Sequence, residues 1–116
     1  MNIEIKNDIA IIHSDTLVIT DTNSALDLMA TVRYETGLNR IAIQKSALTE
    51  EFFTLSTKIA GEILQKFVNY HTKLAIIGDF SVYESKALKD FIYECNEGSH
   101  VFFVEDETEV VRKLSE

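Results

Sequence analysis

The side chains best placed to do chemistry are carboxylates and hydroxyls in short polar turns. Gly78-Asp79-Phe80-Ser81 follows an apolar run, Lys45 and Ser46 follow another, and Glu105 and Asp106 a third. In an open α/β sheet, ligands sit beyond the carboxyl ends of the parallel strands. Lys45, Asp79 and Ser81 are therefore candidate ligand contacts: an ammonium that could hold an anion, and a carboxylate and hydroxyl at a helix entrance. The plainer role for Asp79 and Ser81 is to end a strand and cap the next helix. Ser56 and Thr57 form the second candidate group. They read first as caps or helix-face hydroxyls, but a phosphate on either, near a helix start, would be tolerated and would change a docking surface.

Other chemistries lack their residues. His13, His71 and His100 are far apart and without metal-ligand spacing. Cys95 lies on an apolar stripe with Phe91 and Ile92 and reads as a buried, inert thiol. The four glycines, Gly37, Gly61, Gly78 and Gly98, are isolated, so there is no glycine-rich phosphate loop. No nucleophile elbow supports a Ser-His-Asp arrangement. No catalytic residue, metal or cofactor is expected.

The elements that must hold these groups centre on Arg40 to Ser81. Ile41–Gln44 and Leu74–Ile77 are nearly continuous apolar runs, as in strands buried on both faces of a parallel sheet. Between them, Thr49 to His71 reads as one amphipathic run. Its stripe is Phe52, Leu55, Ile59, Ile63, Phe67 and Tyr70, flanked by Ala60, Leu64 and Val68. Thr49, Thr54 and Ser56 can each cap it, and Thr54–Thr57 can instead break the run into a turn before the helix proper. Phe52 and Phe53 belong in the core, or one ring faces solvent as a protein contact.

Ahead of this unit, Ile3–Lys6 and Ile9–Ile12 flank Asn7-Asp8, a tight-turn signal for an antiparallel hairpin. Leu17–Ile19 is either a small edge strand or a loop. Ser24 and Asp27 have the form of a capping box, with Ala25, Leu28, Met29 and Val32 as a helical stripe and Gly37 as its stop. After Phe80, Ser81 or Ser85 starts a helix carrying Leu88, Phe91, Ile92 and Cys95, and Gly98 ends it. Val101–Val104 is the last strand, and Asp106 caps a short final helix with Val110, Val111 and Leu114. The prediction is a single α/β domain over residues 1–116: a mixed sheet of about four to five strands, an N-terminal antiparallel hairpin, parallel strands thereafter, and about four helices.

The 116 residues leave no room for a second core. A net charge of −8 disfavours nucleic acid and anionic membrane as partners. No apolar run approaches the ~20 residues of a membrane span. The N-terminus alternates like a strand rather than a signal peptide, and the lone cysteine suits a reducing compartment. A cytoplasmic location is expected.

Several stretches together resemble a family of small bacterial proteins known only as a domain of unknown function. They are Phe52-Phe53-x-Leu55, the run Ala60-Gly61-Glu62-Ile63-Leu64-Gln65-Lys66-Phe67-x-Asn69-Tyr70, Ala75-Ile76-x-Gly78-Asp79-Phe80-Ser81 and Ser85-Lys86-Ala87-Leu88. The likeness covers nearly the whole chain and implies no activity. The layout is also similar to STAS domains, the anti-sigma-factor-antagonist fold, whose phosphorylated residue opens the helix after a central strand. Leu55-Ser56-Thr57-Lys58 is the nearest match, without the Asp and Gly of that pattern. This resemblance implies a phosphosite at Ser56, with Thr57 second, and a module acting through protein contacts.

The leading expectation is thus a non-enzymatic, STAS-like regulatory or interaction module whose partner is another protein. The alternative is a small-molecule-binding domain using Lys45, Asp79 and Ser81. The third is an enzyme of unnamed reaction, which would lose turnover on Asp79→Asn. A homodimer through an edge strand or an apolar helix face is open, and the sequence does not decide whether one forms.

Overall fold

The computed structural model describes residues 1–115. Five strands form one sheet in the order of the chain: β1 (Asn2–Lys6), β2 (Ile9–His13), β3 (Arg40–Gln44), β4 (Lys73–Ile77) and β5 (Val101–Val104). β1 pairs antiparallel with β2, and all later pairings are parallel. The helices are α1 (Thr22–Thr36), α2 (Ile59–Asn69), α3 (Lys86–Glu97) and α4 (Glu107–Leu114). The predicted fold class is the observed one. Asn7 and Asp8 take φ of 52° and 60°, the doubly left-handed turn that Asn-Asp suits and that matches strand twist.

Strand alternation divides the core in two. Ala10, Ile12, Ile41, Ile43, Leu74, Ile76, Val101 and Phe103 face α1, α2 and α3. Ile9, Ile11, Ala42, Ala75, Ile77, Phe102 and Val104 face the other way, where α4 brings Val110 and Leu114. α4 has only eight residues, yet both of those side chains are fully buried. Ala42 and Ala75 are directly paired at the middle of that face, and their small side chains let so short a helix lie close.

Three local expectations are corrected. Thr49–His71 is not one helix, and the alternative of a break at Thr54–Thr57 before the helix proper is the one observed. Residues Lys45–Ala47, Glu50–Phe53 and Leu55–Thr57 form successive 3-10 turns before α2 begins at Ile59. The hydroxyl of Thr57 donates to the carbonyls of Glu51 (2.9 Å) and Thr54 (2.8 Å), which ties the turns together. Lys58 then takes a left-handed φ of 65°. None of Thr49, Thr54 and Ser56 caps α2. Phe52 and Phe53 are core residues even so, whereas Tyr70, at the end of the expected stripe, is 51% exposed.

The capping box of α1 is Asp21 with Ser24, one turn earlier than Ser24 with Asp27. Asp21 accepts the Ser24 N–H at 2.8 Å and Ser24 Oγ accepts the Asp21 N–H at 3.0 Å. Serine thus replaces the usual Glu or Gln of the box, which hid it. Ser85, not Ser81, caps α3. Leu17–Ile19 is a loop that leans on residues 47–49 through one isolated bridge, Ile19 with Leu48. The expected stops at Gly37 and Gly98 and the cap at Asp106 are all in place.

Two side chains lock the layers together. Arg33 on α1 donates to the carbonyl of Tyr70 (3.1 Å) and the hydroxyl of Thr72 (3.2 Å), fastening α1 to the turn ahead of β4. Asn96 on α3 works like a strand. Its amide accepts from the Phe103 N–H at 2.7 Å and donates to the Phe103 carbonyl at 3.2 Å, so it occupies the outer edge of β5. Removing it strands a part-buried donor and acceptor. Asn96→Ala should cost about 1–3 kcal/mol, read as a lower urea midpoint with an unchanged slope.

Candidate functional site

The strand ends bring Lys45, Asp79 and Ser81 into one neighbourhood. β3 delivers Lys45 directly, and β4 delivers Gly78 beside it. A Cβ built on Gly78 would lie 2.8 Å from the Lys45 Cβ. Glycine stands here because two chain segments approach closely, not because the turn needs a left-handed residue: Gly37 is the glycine with positive φ.

Each group already has an internal partner. The Asp79 carboxylate accepts from the Ser81 hydroxyl and from the Ser81 N–H at 2.9 Å. The Ser81 hydroxyl, then its N–H, and then the Lys45 charge hold the Asp79 carboxyl below the usual carboxylate range. This is a turn closed by an aspartate on the backbone two residues on. The Lys45 ammonium stands 4.7 Å from the centroid of the Tyr83 ring and 6.0 Å from that of Phe53, a cation–π position.

Tyr83 is the residue that sequence reading left unassigned. Its ring stacks on Phe53 at 5.0 Å and 15°, and its hydroxyl donates to Glu50 at 3.0 Å. Burial, then Glu50, pushes its phenol up and keeps it protonated. Tyr83 thus pins the 78–85 loop onto the 3-10 turns that follow β3. No spacing rule links positions 50, 53 and 83, so the sequence carries no signal for the cluster.

Two open clefts flank this knot. One, of about 670 Å³, is lined by Gln44, Ile77, Gly78, Asp79, Glu105, Asp106 and Glu107. The other, of about 580 Å³, includes Leu17, Lys45, Ser46, Leu48 and Glu50. A recess of about 590 Å³ lies elsewhere, against α1 and the end of α2, and includes Met29, Arg33, Tyr34 and Tyr70. Tyr34 there is 92% exposed.

Ser56 and Thr57 differ sharply. Thr57 spends its hydroxyl on two carbonyls and also accepts the Ile59 N–H at 3.3 Å. Ser56 is exposed and makes no hydrogen bond among the described residues. It sits three residues ahead of α2, in a turn that Thr57 fixes.

Among the described residues, no group of His, Cys, Asp and Glu could hold a metal ion, and no buried side-chain N or O lacks a partner. His13 pairs with Glu4 at 2.8 Å across the hairpin, and the His100 ring meets the Ser99 hydroxyl at 3.2 Å. The Cys95 thiol is pushed up to about 11, by burial first and Glu94 second, so at neutral pH it is a poor nucleophile. No described helix is long and apolar enough to cross a membrane.

The Asp79 turn makes a direct prediction. Ser81→Ala removes the largest of the three causes that lower its pKa. Carboxyl titration followed by NMR should show Asp79 moving up toward the model-peptide value of 3.8. The linkage sign follows: a depressed carboxylate contributes stability above its unfolded pKa and loses it as pH falls through the folded one. Wild type should therefore lose this small contribution below pH 3.8, and the variant should have less of it to lose.

No curated protein and no solved structure matches the chain. A family model does match, over residues 4–114, described as a domain of unknown function, DUF4180. The match takes in most of β1 and every later strand and helix, and the chain belongs to that family.

Proposed function

We propose that the protein is a non-enzymatic regulatory module that works through contact with another protein, with Ser56 as its switch. One observation carries this: an exposed, unbonded serine hydroxyl held at a fixed point in a braced turn, just ahead of α2. β3, from which that turn departs, is the central strand of the sheet. The position agrees with the STAS-like layout, in which the modified residue opens the helix after a central strand. Thr57 is the weaker choice, since modifying it would first break the bonds that hold the turn.

The physics of such a switch is local. Phosphate would add up to two negative charges near the first N–H groups of α2, of which the Ile59 N–H is already held by the Thr57 hydroxyl and none by Lys58. A helix N-terminus accommodates such charge, so modification would change the docking surface without unfolding the helix. A contact surface of suitable composition is also present. Arg33, Tyr34 and Tyr70 gather at the α1–α2 recess with Met29, and Tyr, Arg and Met are enriched at protein interfaces.

The test is capture of a protein partner by wild type, Ser56→Ala and Ser56→Asp, with mass analysis of the purified chain for phosphate. The reading expects a partner kept by the alanine variant and lost at least about tenfold by the aspartate variant, a difference of about 1.4 kcal/mol. Equal retention by all three would remove Ser56 as the switch.

The second reading, a small-molecule site at the strand ends, is favoured by the two clefts, whose volumes fall within the range of ligand sites. It expects a ligand that raises Tm in wild type and does so less in Lys45→Ala. A ligand whose stabilisation is unchanged in Lys45→Ala and Asp79→Asn would place it elsewhere.

A further inference from the structure

The two edges of the sheet are built differently. Asn96 occupies the outer side of β5. Nothing occupies the outer side of β1 among the described residues, and Ile5 on it is 57% exposed. We propose that this free edge is a homodimer interface, at which a second copy of the chain lays its own β1 antiparallel and makes one continuous sheet.

The hairpin decides which backbone groups are offered. Lys6 and Ile9 flank the two-residue turn and pair with each other. In such a hairpin that pair exchanges both hydrogen bonds, and bonded pairs then alternate along the strand. Asn2, Glu4 and Lys6 therefore aim their backbone groups at β2, and Ile3 and Ile5 aim theirs outward. The side chains sort by the same alternation. Glu4 and Lys6 share a face with Ile11 and Ile9, while Ile3 and Ile5 share one with Ile12 and Ala10.

Edge strands are normally blunted by proline, a bulge, a cover or an awkward charge. β1 has no proline, its register with β2 is unbroken, and its charges match a copy of itself. Setting Ile5 against Ile5 of the second copy lets the two residues exchange both backbone bonds. It also sets Glu4 of each chain against Lys6 of the other, twice by symmetry, at the non-bonded positions where side chains come closest. The register centred on Glu4 instead faces two carboxylates across the axis and is disfavoured. β1 carries one acid and one base, so the chain's charge of −8 lies outside this contact. Such an interface is isologous and closes at two copies.

The pairing is short, so the dimer belongs to the weak class. Sedimentation equilibrium over roughly 10 µM to 1 mM covers that class and should show a reversible monomer–dimer equilibrium. Ile5→Pro deletes the outward N–H alone, which an edge strand tolerates. It should abolish the dimer and leave the circular dichroism of the monomer unchanged. Lys6→Glu sets like charges against each other at both symmetric contacts and should weaken the dimer about tenfold. Adding Glu4→Lys to that chain should restore it.

A protein monomeric throughout overturns the proposal. So does a dimer that Ile5→Pro leaves intact, or one indifferent to Lys6→Glu. Should Ile5→Pro fail to fold, reversal and restoration of charge decide alone. The outcome is independent of Ser56, which lies in another part of the fold.

Discussion

The constraint on which the rest depends is that β3 and β4 must be buried on both faces. Each is a run of apolar residues whose neighbours point alternately at two cores. Ile41, Ile43, Leu74 and Ile76 have three helices to cover them. Ala42, Ala75 and Ile77 have one short helix. The unequal cover is possible because the second face is flat at its centre, where two methyl groups leave room for Val110 and Leu114. Larger residues at positions 42 and 75 would lift α4 away, and its two anchors alone could not hold it. The antiparallel hairpin also serves this constraint, because β1 shields the flank of β2 and leaves β2, β3 and β4 inside the sheet.

Much of this was legible because it depends on local periodicity. Alternating and continuous apolar runs identified all five strands, Asn7-Asp8 gave the hairpin, and Gly37, Gly98 and Asp106 marked helix ends. What was misread depends on bonds between distant or unusual partners. Ser24 closes a capping box in place of a longer side chain, so the helix start slid by a turn. The stripe from Phe52 to Tyr70 had the spacing of a helix, but hydroxyl bonds from Thr57 fold its first third into tight turns that still bury both phenylalanines. Periodicity records which side chains go inside and is blind to how the backbone carries them there.

The strand-end group shows the same division. Position relative to the strands correctly gathered Lys45, Asp79 and Ser81, since topology alone puts strand ends together. It gave no account of their state. Ser81 is committed to Asp79, Lys45 leans over Tyr83, and Tyr83 is fastened to Glu50, so the polar atoms there mostly satisfy one another. The Gly78–Lys45 approach leaves no room for a larger residue between β3 and β4. Ser56 is the contrast: a hydroxyl with nothing internal to do, on a turn made rigid by its neighbour.

Asn96 has a consequence for behaviour in crowded solution. A sheet with two bare margins can add copies without end, and such growth is the route to fibres. Here a carboxamide from α3 acts as a terminator on one side, borrowing the shape of a strand without its ability to pass the pattern on. Whatever joins the hairpin side, the far margin is the poorer template, since the outward N–H and carbonyl of Phe103 are already taken. A single side chain thus makes the two margins unequal and works against endless propagation.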